Sequence, residues 1–396
     1  MTKLEKLIQE FCPDGVEFRP LEQCCNILDR KRKPVTKSSR EAGKYPYYGA
    51  NGIQDYVSDY IFDGTFILVG EDGSVITDRG TPVVTWASGK IWVNNHAHII
   101  EGNGTVLLRF LYHYIQTIDV SPLIHGNIPK LTGGDFRALT IPVPPLEVQR
   151  EIVRILDTFT ELTAELTAEL TARQKQYEYY RDMLLSFGEN GGGETGNNIN
   201  FFLVAEIADT NIGLATTVTK YKANQGVLLI HNSDIQENEI VLKQHEYITE
   251  AFAEKNHKKR LQENDVITVH TGDVGTSAVI SKEYAGAIGF TTITSRIRNP
   301  QKVLPEYFCH YLNSHRCKAE IASMTISDRS NLNQNCFEKL RIPIPPIDEQ
   351  RRIVTILDHF STLCTDLTSG LPAEIEARQK QYEYYRDNLL SFTPAD

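Results

Sequence analysis

A stretch of helical character written twice limits this chain more than anything else in it. Residues 141–159, IPVPPLEVQREIVRILDTF, return as 342–360, IPIPPIDEQRRIVTILDHF, with 12 of 19 positions the same. Residues 173–187, RQKQYEYYRDMLLSF, return as 378–392 with 14 of 15 the same. Shared helical composition does not give that agreement, so the chain is built from two similar halves. Between these blocks the copies diverge. Residues 160–172 of the first are 13 long and carry a four-residue unit twice: Thr163, Ala164, Glu165, Leu166, then Thr167, Ala168, Glu169, Leu170. Residues 361–377 of the second are 17 long and have no such unit.

The pattern dictates geometry. Prolines in each IPxPP entry lack a donor and bias the preceding residue away from the α region, which predicts an extended approach to each helix. After Pro145 the apolar positions keep helical spacing for about forty residues, a rod of about 60 Å. A rod that long needs a partner along its length, and the second copy is the evident one. Gly370 and Pro372 predict a break in that copy, with Pro372 near the start of a new helical piece. The tyrosines at 177–180 and 382–385 are expected in the helical seam, or on a partner surface.

Elsewhere the chain reads as mostly β. Residues 1–11 predict a short amphipathic helix; from Val16 to about Leu139 short apolar runs alternate with Gly-rich turns, with helix near 105–117. A second β-rich half runs from about Phe201 to Leu340. The segment at 110–116, FLYHYIQ, resembles 307–313, YFCHYLN, and Leu131, Phe136 and Leu139 fall opposite Leu332, Phe337 and Leu340. The expected organisation is 1–140 as a first β-rich domain, 141–187 as a central helical repeat, 188–200 as a flexible linker by composition, 201–341 as a second β-rich domain and 342–396 as a distal helical repeat.

The 396 residues, 41% hydrophobic and 23% charged, fit a globular protein without a membrane segment or signal peptide, and predict a cytoplasmic one. Seven cysteines at irregular spacing form no metal or redox pattern and are expected as free thiols. No Walker A loop, GxGxxG, HExxH or GxSxG is present, so no catalytic residue, cofactor site or metal site is assigned. The turns GEDG (70–73) and GDVG (272–275) occupy comparable places in the two halves and read as strand-end turns needing glycine rather than phosphate cradles. His96 and His98 alternate as on one strand face, with no Cys or carboxylate beside them at ligand spacing.

A net charge of −10 argues against a lone nucleic-acid binder, but not against a local basic face. In the first half Arg30, Lys31, Arg32 and Lys33 are followed by Lys37, Arg40 and Lys44, then Tyr45, Tyr47, Tyr48 and Asn51. Cations there can meet phosphates while aromatics and amides reach base edges. Arg79, Lys90 and Lys130 are further loop cations. The second half offers Lys220, Lys222, His257, Lys258, Lys259, Arg260, Arg296 and Arg298. Just before each proline entry lies a loop rich in hydrogen-bonding groups: His125, Asn127 and Lys130 in the first half, Arg329, Ser330, Asn331 and Asn333 in the second. The two loops differ, as readers of two different sequences should.

With those residues in hand, the chain resembles the specificity subunits of type I restriction–modification enzymes, and the TAEL unit resembles the type IC group. The resemblance rests on the duplicated PxPPxxxQxxIVxxLDxF entry, the repeated RQKQYEYYRDxLLSF end and the TAEL units, and covers essentially the whole chain. It implies an α+β fold: two target recognition domains joined by two long helices packed as an antiparallel coiled coil with a pseudo-twofold arrangement. It also implies a non-catalytic subunit that reads a split site in double-stranded DNA and docks two modification subunits and the restriction subunits. S-adenosylmethionine would then sit on the modification subunits, ATP and magnesium on the restriction subunits, and no cofactor on this chain. Each TAEL unit adds about 6 Å and about 400° of winding. The excess over one turn is close to the twist of one base pair while the rise overshoots that of one; the resemblance implies that the unit acts as a spacer ruler, the other reading being a plain helix-favouring repeat. The alternatives are a coiled-coil scaffold with two protein- or ligand-binding β domains, and a self-contained DNA-modifying enzyme.

Overall fold

The computed structural model describes residues 2–73, 75–124, 129–187, 199–324, 331–365 and 370–395. The expected linker falls largely outside these residues, as do His125, Asn127, Arg329 and Ser330. Two compact units are present: Met1–Thr167 with Glu374–Asp396, and Ala168–Ala373. Packing therefore divides the helical repeat between units and does not follow its order along the chain.

Unit 1 begins with α1 (Lys3–Phe11), closed at its start by a reciprocal cap between Thr2 and Glu5. Then come β1 (Phe18–Pro20), α2 (Leu21–Cys24), β2 (Cys25–Ile27), β3 (Ala42–Gly49), β4 (Gly52–Val57), β5 (Phe62–Gly70), β6 (Val84–Val93) and β7 (Ala97–Gly102). Next are α3 (Leu108–Ile115), α4 (Gly133–Ala138), β8 (Thr140–Pro142) and the first part of α5 (Leu146–Leu184). Six strands form one sheet in the order β2-β7-β5-β6-β3-β4, antiparallel except where β3 runs parallel to β6. Strand alternation explains its burial. In β5, Ile67 and Val69 join Phe110 and Leu111 of α3 in one core, while Phe66 and Leu68 join Ile91 and Ile99 in another. The sheet is thus covered on both faces.

Unit 2 takes up the rest of α5 and continues with β9 (Asn200–Leu203), α6 (Val204–Ile207), β10 (Ala208–Ile212), β11 (Lys222–Ala223), β12 (Val227–His231), β13 (Ile235–Gln236), β14 (Glu239–Ile240), β15 (Glu246–Ile248) and α7 (Glu250–Lys255). It proceeds through β16 (Val266–Val269), β17 (Ser277–Val279), β18 (Ile288–Phe290), β19 (Thr292–Ile297), α8 (Pro305–Leu312), α9 (His315–Met324), α10 (Gln334–Phe337), β20 (Arg341–Ile344) and α11 (Ile347–Thr365). Its strands form two four-stranded sheets, β10-β19-β16-β17 and β11-β15-β12-β18, where unit 1 has one sheet of six. A final helix, α12 (Leu371–Leu389), lies in unit 1 from Glu374 onward. Pro372 occupies the first turn of α12, as expected of the start of a new helical piece, where a missing N–H costs nothing; residues 366–369, on which the expected break also falls, lie outside the described residues.

The frame common to the halves is built twice from the same parts. The extended proline entry pairs antiparallel with the strand opening its half: Pro142 opposite Phe18 in unit 1, Pro343 opposite Phe201 in unit 2. Leu131, Phe136 and Leu139 are buried in the first core; Leu332, Phe337 and Leu340 are buried in the second. Val148, Ile152 and Leu156, four residues apart on α5, are fully buried in unit 1, and Ile353 and Leu357 of α11 in unit 2.

The ends of the repeat are exchanged. Tyr382 and Leu390, from the second copy, belong to the core of unit 1; Tyr177 and Leu185, from the first, belong to that of unit 2. Phe159 stacks on Tyr385 at 5.1 Å in unit 1, and Tyr180 stacks on Phe360 at 5.4 Å in unit 2. These are the same two repeat positions, meeting once in each unit with the copies interchanged.

Candidate nucleic-acid interface

Three groups inside the repeat explain why its motif has the residues it has. In each proline entry the glutamine four or five residues past the Pro-Pro pair is buried and ties two segments together. Gln149 accepts from the Leu107 N–H at 2.8 Å and donates to the Pro144 carbonyl at 2.7 Å; Gln350 accepts from Leu304 at 2.9 Å and donates to Pro345 at 2.8 Å and Lys302 at 2.9 Å. An amide supplies both a donor and an acceptor, which neither Glu nor Leu can do here. The aspartate of each LDxF takes the histidine of the preceding short helix: His113 Nε2 lies 2.8 Å from Asp157, and His310 Nε2 lies 2.8 Å from Asp358.

The third group closes each unit with the borrowed tyrosine, by different means. The Tyr382 hydroxyl lies 2.9 Å from His113 Nδ1, whereas Tyr177 accepts from Asn238 at 2.9 Å. Nearby, Arg181 and Lys318 both pair with Glu237 at 2.6 Å. Burial pushes the Tyr177 and Tyr382 hydroxyls up to about 12, so both stay neutral bonding groups. Burial lowers the pKa of His113, although Asp157 opposes this; burial raises that of Asp157, but hydrogen bonds from His113 and Arg109 outweigh it and hold the carboxyl below its usual range.

At the far end of the first sheet the chain gathers a charged cluster that sequence spacing does not reveal. His98 on β7 is buried against the Phe136 ring, 4.1 Å between centroids. Its Nδ1 lies 2.7 Å from Asp29 and its Nε2 lies 3.0 Å from the Leu131 carbonyl. Glu71 completes a set of three groups with ligand-like spacing. Cations already serve these carboxylates: Arg32 donates to Glu71 at 2.6 Å and Lys130 pairs with it at 3.3 Å. The set is an internal salt network, and we assign it no metal.

The positions proposed from sequence divide by surroundings. Arg30, Lys31, Lys33 and Lys37 are exposed and have no ion partner among the described residues; Asn51 is exposed in the turn between β3 and β4. Lys44 lies 5.3 Å from the centroid of Tyr45 and Lys90 lies 4.6 Å from that of Tyr60; the two tyrosines pack at 5.1 Å, so cations and rings alternate along one surface. Arg32, Tyr47 and Tyr48 turn inward. Tyr47 accepts from the Val35 N–H at 3.0 Å and carries the Arg40 guanidinium 4.1 Å from its ring centroid, anchoring the basic segment from below. Arg79 reaches Glu383 at 2.9 Å and Asp387 at 3.2 Å, on α12.

In unit 2, Lys258, Lys259, Arg260 and Arg296 come together around a cleft they share with Asp209, Asn211 and Thr294. Lys258 is exposed there. Lys259 instead caps the carbonyls of Ile212 and Gly213, and burial lowers its pKa. Arg296 makes a two-pronged pair with Asp265 at 2.7 and 2.8 Å, and Arg260 pairs with Glu250. Lys220 packs on Tyr221 at 5.1 Å, Lys222 pairs with Glu246 at 2.7 Å, and His257 is exposed. Asn331 is exposed and bonded to Thr271; Asn333 caps α10.

The sets of surface groups differ while the frames beneath them agree, and comparison with known proteins gives that contrast a meaning. The family described as the type I restriction modification DNA specificity domain matches residues 13–173 and again 198–377. A type I restriction enzyme specificity subunit of Haemophilus influenzae is 38% identical over 99% of both chains. The EcoR124I/EcoR124II specificity subunit of Escherichia coli is 34% identical over 72% of this chain and 71% of its own. The crystal structure of the S subunit of the type I system of M. genitalium has the same fold, with a TM-score of 0.57 at 15% identity, covering 95% of this chain and 96% of that one. The chain belongs to the type I restriction–modification DNA specificity family. It is a non-catalytic specificity subunit with an α+β fold. No helix among the described residues is long and apolar enough to cross a membrane.

Proposed function

We propose that this chain reads a DNA site in two parts, one through each β-rich half, at a separation set by the helical repeat. The observation that carries the reading is a duplicated internal frame bearing two different arrays of surface cations, rings and amides. Exposed Arg30, Lys31, Lys33, Lys37, Lys44 and Lys90 in unit 1, and Lys220, His257 and Lys258 in unit 2, meet phosphates; Asn51 and Asn331 stand with them to contact base edges. Arg32, Tyr47 and Tyr48 act from inside, holding the basic segment in place.

The chain works with modification subunits that carry S-adenosylmethionine and with restriction subunits that use ATP and magnesium. Two identical modification subunits need two like surfaces, and the repeat presents them: Tyr179 and Tyr384, at matching positions, are 65% and 66% exposed. In the TAEL segment, helix length sets the spacer, as in the type IC group.

The test is reconstitution of the chain with its modification subunits, followed by mapping of methylated adenines on random DNA. A single split site with a fixed spacer is the expected result, and the chain alone transfers no methyl group. A complex that methylates without sequence preference, or a chain that methylates unaided, overturns the reading.

A further inference from the structure

One place in the shared frame is packed in unit 1 and open in unit 2, and the strand registers identify it. Each unit follows a short helix with an edge strand, β2 on β7 or β10 on β19, and has β5 or β16 as the next neighbour. Cys25 opposite Gly102 matches Ala208 opposite Ile297, the first residue past the helix in each case. Three residues further on, Leu28 corresponds to Asn211, and their neighbours Ile99 and Thr294 correspond too. The third strand agrees, with Leu68 opposite Ile99 and Ile267 opposite Thr294.

In unit 1 these positions are apolar and covered: Leu28 and Ile99 pack with Phe62, Phe66 and Leu68 in one core. In unit 2 Ile267 stays buried, but Asn211 and Thr294 line the open cleft beside Lys258, Lys259 and Arg296. Much of the hydrogen-bonding capacity there is unused. Asn211 gives one amide hydrogen to the Lys258 carbonyl at 2.8 Å and keeps the other. Arg296 places Nε and Nη2 on Asp265 and keeps Nη1. The Thr294 hydroxyl and the Lys258 ammonium have no partner among the described residues. Lys259 covers the carbonyls of Ile212 and Gly213, which would otherwise repel an anion. Asp209, the acid in the lining, is paired with Arg298 at 2.8 Å.

Shape selects the ligand. At about 230 Å³ the cleft is smaller than the roughly 300 Å³ at which pockets take whole small molecules. It is also a recess, whereas base edges lie about 8.5 Å down the major groove, where only a projecting side chain reaches them. Phosphates project outward from a duplex and take hydrogen bonds from Lys, Arg, Asn and Thr alike. We propose that this cleft seats one backbone phosphate of the DNA bound by unit 2, with Asn211 and Thr294 as contacts beside Lys258 and Arg296. The inference rests on the reading that unit 2 contacts DNA.

The test uses the full chain reconstituted with its modification subunits, and DNA in which single phosphates are replaced by neutral methylphosphonate. In the wild type, one such replacement at the half-site of unit 2 is expected to weaken binding. In Asn211→Asp, whose carboxylate repels a seated phosphate, the same replacement should strengthen it. Giving the cleft the residues of unit 1, Asn211→Leu with Thr294→Ile, should lower the slope of log affinity against log salt by about 0.9, the share of one phosphate. That double variant should also lose its response to the replacement and keep the wild-type base preference at both half-sites. Asn211→Asp preserves size, so it carries the test should the double variant fold poorly. An altered base preference at the half-site of unit 2 overturns the proposal, because the cleft then reads bases; so does a response to every replacement equal to that of the wild type. The salt slope can be read on random DNA as well. A wild-type complex that prefers no split site therefore overturns the half-site reading instead, and the slope still decides the cleft.

Discussion

At the residue scale the shared work of the repeat is done by Gln149 and Gln350, each buried and each tying two segments together with one amide. Replacing either by Ala leaves a partly buried backbone N–H, that of Leu107 or Leu304, without its acceptor, a cost of about 1–3 kcal/mol. Denaturant unfolding should show that loss for Gln149→Ala and for Gln350→Ala alike. Acid acts on the same neighbourhood. Hydrogen bonds from Arg154 and Lys3 hold the buried Glu151 carboxyl at about 2, and Asp157 is held low as described. A carboxyl depressed in the fold stabilises it above the unfolded pKa, near 4.5, and the gain is lost as pH falls through the folded value. His113, whose pKa burial lowers, adds to this, since its neutral form is favoured in the fold and that advantage fades as pH drops below about 6.5. Stability of unit 1 is therefore expected to decline from about pH 6.5 down toward 2. Glu151→Gln should remove the lower part of that decline, about 1–2 kcal/mol once the exposure of Lys3 and Arg154 is allowed for. Much of this was beyond the sequence. Runs of cations and tyrosines are visible in it, but whether Arg32 faces Glu71 or water depends on which strands pair, and that is a long-range matter.

At the element scale α5 followed from periodicity, and its 39 residues match the expected rod. The burial along it was less evident. Between Leu156 and Tyr177 no residue of α5 is buried, and Thr163 and Thr167 return their hydroxyls to carbonyls four residues back, at 2.9 and 2.7 Å. A segment with so little fixed packing can change length without disturbing a core. Deleting the four residues 163–166 is accordingly expected to shorten the preferred spacer and leave both half-sites unchanged; methylation mapping reads both at once, and an altered half-site would count against a ruler. Only half of the tyrosine expectation could be resolved from spacing. Tyr177, Arg181 and Leu185 recur every four residues and share the buried face, while Tyr179 is about 200° round the helix from Tyr177 and faces out.

At the scale of the whole molecule the repeat announced two halves, but it could not say which end packs on which. The copies at 173–187 and 378–392 are too alike to carry an address; the distinction lies in what receives them, His113 for Tyr382 and Asn238 for Tyr177. Unit 1 therefore depends on residues 374–396. Removing them takes Tyr382 and Leu390 out of a buried cluster, a loss on the order of 3–5 kcal/mol for each large side chain. Hydrogen exchange should then quicken in α3 and β1 of unit 1 and remain slow in β16 and α8 of unit 2.

The exchange of ends also fixes an order of assembly during synthesis. Residues 1–167 emerge first, yet the segment that completes their core is translated only after all of unit 2. Val16 waits for Thr393, Pro394 and Ala395 to bond along its backbone. On the ribosome the earlier-made lobe is the later to close, and for that interval its open seam is exposed to chaperones and proteases.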